Sequence, residues 1–225
     1  MPKQMKTETE QEKTARLEKI LDILRREYPD ARCTLDYKNA FELLVAAVLA
    51  AQCTDEKVNQ VTPALFRRYP TPKDFAEADE SELQAAIKQT GFFRQKARSI
   101  MEISRELISR FGGEVPDTLE ELTSLQGVGR KTANLILGEI YKKPAIVVDT
   151  HVRRISARLG LTKNTDPAKI ESDLMKITPK ERWNELNHLI VFLGRNICKA
   201  PTPQCSICPV LALCPTGKDR TNKPG

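Results

Sequence analysis

The stretch "LQGVGRKTANLILGEIYKKPAIVVDTH", Leu125 to His151, sets a Gly-Val-Gly turn before a lysine and closes an apolar run on an aspartate. Working outward, Thr118 to Ser124 reads as a short helix and Gly127-Val128-Gly129 as a tight turn. Arg130 to Tyr141 reads as a second helix with Leu135, Ile136 and Ile140 inward. The pattern is a helix-hairpin-helix. Two glycines permit positive φ and close approach of a ligand, and the amides opening the second helix have no intrahelical partners. Gly127, Gly129 and Arg130 can therefore hold a backbone phosphate of DNA without reading its sequence. Taken alone, a Gly-x-Gly between helices is more simply a compact connection.

Lys131 adds to the signal. In the first turn of a helix its amine meets the positive end of the macrodipole, and partial desolvation also favours the neutral, nucleophilic form. On its own it is more simply a solvated lysine touching phosphate, the commoner fate of a lysine beside such a turn. Asp149 follows "AIVV", which holds its carboxylate in one place, and precedes "THVRRISARLG", a helix with Ile155 and Leu159 inward. Its plain role is an N-cap. Capping and chemistry are compatible, because a carboxylate fixed by backbone amides stays ionised and can accept a proton from a neighbouring amine.

The rest of the 225 residues supports an all-α protein, since no segment alternates with period two for long. Leu17, Ile20, Leu21 and Leu24 mark one amphipathic stripe; Ile100, Ile103, Leu107 and Phe111 mark another that stops at Gly112-Gly113. Capping boxes are expected at Ser81 with Gln84, Thr118 with Glu121, and Thr178 with Glu181 after Pro179. "FELLVAAVLAAQ" is apolar on every face and reads as a central buried helix, and "YPTP" at Tyr69 to Pro72 breaks the chain. The first dozen residues and "GKDRTNKPG" read as polar, mobile ends.

A net charge of +6 suits a polyanionic partner without proving one. The longest apolar run, Leu43 to Ala51, is far shorter than the roughly 20 residues that cross a bilayer, and the charged start lacks a signal peptide's apolar segment. An intracellular protein with no membrane partner is expected.

Four of the six cysteines fall in "CKAPTPQCSICPVLALC", with spacing C-x6-C-x2-C-x5-C: Cys198, Cys205, Cys208 and Cys214. A disulfide framework does not suit an intracellular chain. Structural zinc sites favour two close pairs, whereas one C-x2-C flanked by wider gaps suits a [4Fe-4S] cluster better. Cys33 and Cys53 read as reduced, mostly buried side chains.

"LQGVGRKTANLIL", "VVDTHVRRISARLGL", the cysteine loop and "FELLVAAVLAAQCTDEKVNQVTPALF" together resemble the endonuclease III family, from about Leu17 to Cys214. The resemblance implies a helix-hairpin-helix DNA glycosylase fold. A six-helix barrel domain, residues 33–143, would face a [4Fe-4S] cluster domain, residues 1–32 and 144–225, across an interdomain cleft. It further implies a cytoplasmic, nucleoid-associated monomer that acts on double-stranded DNA containing oxidised pyrimidines or abasic sites. Lys131 would be the nucleophile, Asp149 its catalytic partner, and the strand would be nicked by β-elimination. Gln52, at the end of the buried helix, and Phe92, in the "TGFF" turn, match residues that enter the base stack; His151 and Lys199 join them as DNA-binding residues. Thr123 and Ala50 stand where some relatives carry Glu and Ser. The adenine glycosylase of mismatch repair, a relative, has a hydroxyl residue in place of Lys131 and a Glu where this chain has Ala47. A non-catalytic Fe-S or zinc DNA-binding module is the alternative from another class.

Overall fold

The computed structural model describes residues 8–221 and, among them, contains helices and no strands. The α-helices are α1 (Glu10–Glu27), α2 (Ala40–Leu49), α3 (Asp55–Arg68), α4 (Pro72–Ala76), α5 (Glu80–Ile87), α6 (Phe93–Phe111), α7 (Leu119–Ser124), α8 (Arg130–Glu139), α9 (Thr150–Arg158), α10 (Pro167–Ile177), α11 (Trp183–Asn196) and α12 (Pro215–Thr221). The chain divides into two compact units, after Arg32 and after Lys143, the outer segments folding together.

The unit from Cys33 to Lys143 is organised around α2, whose apolar sequence lets Phe41, Leu43, Leu44, Val45, Ala46 and Leu49 all be buried. Asn39 caps it, and the Glu42 carboxylate reaches back to accept from the Lys38 amide at 2.7 Å. Seven α-helical segments are present among the described residues, one more than the expected six. The extra one is α4, where Thr71 and Asp74 form a capping box and Pro72 occupies the first helical position, so "YPTP" starts a short helix instead of only ending one. Helix α6 buries Ile100, Ile103 and Leu107 and stops at Gly112, φ 63°, as its stripe predicts.

In the other unit, α1, α9, α10 and α11 share one core. Leu17, Ile20, Leu21 and Leu24 of α1 are fully buried beside Ile155, Ile170, Leu174 and Ile190. Truncating one such leucine to alanine costs roughly 2–5 kcal/mol.

Several local expectations need correction. Helix α5 is capped by Asp79, which accepts from the Glu82 amide at 3.0 Å, so Ser81 lies inside the helix and bonds Asp79, and Gln84 donates to Glu80. Asp competes well for the cap and stands two residues earlier. Thr118 does cap α7. Thr178 is no N-cap: it is the C-cap of α10, its carbonyl accepts from Trp183 Nε1 at 3.0 Å, and Pro179 at ψ 135° turns the chain into a 3-10 turn before α11. On α8, Ile136 and Leu137 are buried while Leu135 and Ile140 are half-exposed, a rotation set by packing on α2. Helix α2 ends at Leu49, so Gln52 lies beyond it. Cys33 and Cys53 are half-buried, more exposed than expected, and neither forms a disulfide. The polar ends are more structured than expected: Thr9 and Glu12 form a capping box on α1, and residues 217–221 belong to α12. Residues 1–7 and 222–225 of those ends lie outside the described residues.

Candidate functional site

On the unit from Cys33 to Lys143, α7 and α8 form the hairpin. Val128 is buried and anchors the turn, while the glycines on either side are exposed. Gly127 has φ 86°, where a side chain would strain the backbone, so its requirement is conformational. Gly129, at φ −86°, needs no such freedom; as the N-cap of α8 it offers no side chain, and no side-chain cap hydrogen bond forms there. A residue with a capping oxygen would fill the place a phosphate oxygen can take. Arg130 and Lys131 open α8 and are exposed. The desolvation of Lys131 expected from sequence is therefore not supplied by the protein itself.

The same unit carries Gln52 and Phe92 on separate turns, both in the left-handed region, at φ 53° and 47°. Non-glycine residues there are uncommon and cluster at functional positions. Phe92 is 61% exposed, an outward ring immediately before α6, and Phe93 is the more buried of the pair. Thr123 hydrogen-bonds back to the Leu119 carbonyl at 2.8 Å on the exposed face of α7, and Ala50 is the C-cap of α2.

On the other unit, Asp149 is the N-cap of α9, its Oδ1 accepting from the Val152 amide at 2.7 Å. The segment leading to it forms no strand. Two asparagines of α11 hold it: the Ala145 amide donates to Asn184, the Val147 amide to Asn187 Oδ1, each at 2.9 Å, and Asn187 Nδ2 donates to the Ala145 carbonyl at 3.0 Å. Helix α9 approaches α11 closely because residue 194 is glycine. A Cβ at Gly194 would stand 2.5 Å from His151 Nδ1 and 2.8 Å from Ile155 Cδ1. His151 thus packs against α11, half-buried, with Arg154 Nη2 at 3.1 Å from its Nδ1.

The four loop cysteines line one pocket with Arg158, Leu211 and Gly217. Burial pushes the Cys208 and Cys214 thiols up, and the neighbouring cysteines push them further. No three of the described His, Cys, Asp and Glu residues converge as ligands of one ion would. Arg158 Nη1 donates to Cys198 Sγ at 3.3 Å and the Gly217 amide to Cys214 Sγ at 3.2 Å, orienting both sulfurs. Arg154 and Arg158 also donate to the carbonyls of Cys198 and Lys199, so the helix capped by Asp149 grips the cysteine loop. Lys199 is exposed.

Sequence reasoning missed Asn184, Asn187, Arg158 and Lys96. A signal existed for three of them: Asn187 and Lys96 occupy core-facing positions in amphipathic helices, and Asn184 lies one turn from Asn187.

The profile of the HhH-GPD superfamily of base excision DNA repair proteins matches residues 45–180. Endonuclease III of Synechocystis sp. is 49% identical over 92% of this chain and 94% of its own length; that of Bacillus subtilis is 45% identical over 92% and 95%. The chain belongs to the endonuclease III family. Its role is accordingly that of a DNA glycosylase and AP lyase in base excision repair, and the family generally contains an iron-sulfur cluster. Among solved structures, a trapped covalent intermediate of endonuclease III with DNA superposes with TM-score 0.89 at 46% identity, covering 93% of this chain and 99% of that one. A thermostable thymine-DNA glycosylase, TM-score 0.80 at 23% identity over 91% and 97%, shares the fold. No helix among the described residues is long and apolar enough to cross a membrane.

Proposed function

We propose that this glycosylase and lyase removes oxidised pyrimidines from duplex DNA as a monomer of the cytoplasm and nucleoid, with Lys131 as nucleophile. The observation that carries the proposal is an exposed amine in the first turn of a helix whose N-cap offers no side chain. A phosphate held by the Gly127–Gly129 turn puts the sugar-phosphate chain beside that amine. Arg130 and Lys199 add charge that tracks the backbone, and His151 stands in the first turn of α9.

The lesion nucleotide leaves the stack, with Gln52 and Phe92 filling the emptied step. Bound DNA excludes water from Lys131, whose nitrogen bonds to the sugar C1′ as the C1′–base bond breaks and the base departs to be protonated. Asp149 takes the proton from the new C–N nitrogen, and its N-cap bond fixes the carboxylate for that task. Ring opening gives a Schiff base; loss of a C2′ proton expels the 3′ phosphate by β-elimination, and water then releases the amine.

Cys198, Cys205, Cys208 and Cys214, which line one pocket, would hold a [4Fe-4S] cluster; their C-x6-C-x2-C-x5-C spacing suits it better than the two close pairs usual at structural zinc. Bound there, the cluster would serve structurally, bracing the loop that bears Lys199 and that Arg154 and Arg158 grip. The trapped intermediate of endonuclease III with DNA supports a covalent route. The test is a duplex panel carrying an oxidised pyrimidine, an oxidised purine, a mismatched adenine or an abasic site. Base release coupled to a β-elimination nick on the first supports the proposal; base release without a nick, or preference for the mismatch, points to a monofunctional relative.

A further inference from the structure

Lys96 is 4% exposed, in the stripe of α6 that otherwise buries Ile100, Ile103 and Leu107, and nothing in the chemistry above uses it. An ammonium there is costly unless its donors are satisfied. Two are: Nζ donates to the Leu49 carbonyl and to the Thr90 carbonyl, each at 2.7 Å. Leu49 is the last residue of α2, where a carbonyl lacks an intrahelical donor and the helix dipole welcomes a cation. Thr90 is the last residue of the 3-10 turn Lys88–Thr90. Beyond Leu49 the chain enters the turn carrying Gln52, and beyond Thr90 the turn carrying Phe92, both left-handed. The backbone amide of Lys96 also donates to the Phe92 carbonyl at 3.0 Å.

We propose that Lys96 is a positioning residue that sets the Gln52 and Phe92 turns relative to each other, so that both enter the base stack as one unit. A methionine of similar length would fill the space but leave both carbonyls without donors, and an uncharged cap on α2 alone would not reach Thr90. One ammonium bonded to both turn origins couples them: a shift of either turn breaks a hydrogen bond that also holds the other. The inference rests on the reading of Gln52 and Phe92 as the inserting residues.

The experiment is a single-turnover comparison of two substrates, an oxidised pyrimidine paired in duplex and a preformed abasic site. It uses the wild type, Lys96→Met, Lys96→Arg, the Gln52→Ala/Phe92→Ala double variant, and that double variant combined with Lys96→Met. Lys96→Met is expected to slow excision of the paired lesion by roughly tenfold or more relative to its effect on abasic incision, since misplacement of distant positioning groups carries losses of that order. Lys96→Arg, which keeps charge and donors, is expected to recover part of it. In the background lacking both probes, Lys96→Met should add little, because its partners are already gone. Equal losses on both substrates, or full additivity in that background, would overturn the inference. Should Lys96→Met not fold, Lys96→Arg alone must still show the substrate split. If the Gln52→Ala/Phe92→Ala protein excises the paired lesion normally, the insertion reading itself falls, and this inference with it.

Discussion

Asn187 grips Ala145 through both edges of its neighbourhood: its Oδ1 accepts from the Val147 amide at 2.9 Å and its Nδ2 donates to the Ala145 carbonyl at 3.0 Å. An asparagine side chain thereby replaces the neighbouring strand that an extended segment ordinarily pairs with, and the segment delivers Asp149 two residues later. Asn187→Leu leaves the buried Ala145 carbonyl and the half-buried Val147 amide without these partners, a loss of about 1–3 kcal/mol for the buried group and less for the other. The expected outcome is a lower melting temperature together with slower base excision, measured by calorimetry and single-turnover kinetics on the same preparation. Normal excision in the folded variant would free Asp149 from this support.

Asp149→Asn separates proton transfer from capping, because Asn caps helices as well as Asp and can still accept from the Val152 amide. Excision should fall by orders of magnitude with melting nearly unchanged. Asp149→Ala should show the same kinetic loss plus about 0.5–2 kcal/mol of stability for the missing cap. Near-normal turnover of the Asn variant would reduce Asp149 to a helix cap.

The purified protein should be yellow-brown with about four irons per chain bound by the loop cysteines. Stoichiometric zinc and no visible absorption would reject the cluster. Cys208→Ser or Cys214→Ser should lower soluble yield more than it alters chemistry, because metal binding and folding of the loop are coupled.

Glu185 makes a pH prediction. Burial pushes its carboxyl up, but hydrogen bonds from Arg25 and Arg182 outweigh that and hold it below its ordinary value. A carboxyl with a depressed folded value gives stability that is full above the unfolded value and disappears as pH falls through the folded one. Glu185→Gln should therefore lower the melting temperature near neutrality and shrink the difference from wild type below about pH 4, the range in which an ordinary glutamate protonates. A difference independent of pH would assign the effect to packing.

The features legible in sequence were those written in short-range patterns. The all-α class, the hairpin, the cap at Asp149 and the cysteine spacing are each set by residues a few positions apart, and the left-handed turn at Gly127 needs glycine for its own backbone. What escaped depends on distant partners. Ser81 reads as a cap until Asp79 takes the role, and Asn187 or Lys96 reads as an ordinary polar residue until the carbonyl it must meet, 42 or 47 positions away, is known. For Lys131 the local pattern leaves a solvated and a desolvated amine both open, and its exposure becomes visible only in the fold, because solvation depends on an environment that no local pattern encodes.

Borohydride reduction of the protein on an oxidised-pyrimidine duplex, followed by peptide mapping of the adduct, tests the central claim most directly. A single DNA-linked peptide modified at Lys131, absent in a Lys131→Ala protein that still binds the duplex, is the predicted result, with loss of the covalent route costing orders of magnitude in rate. An adduct mapped to another amine, or one that persists in Lys131→Ala, would contradict it.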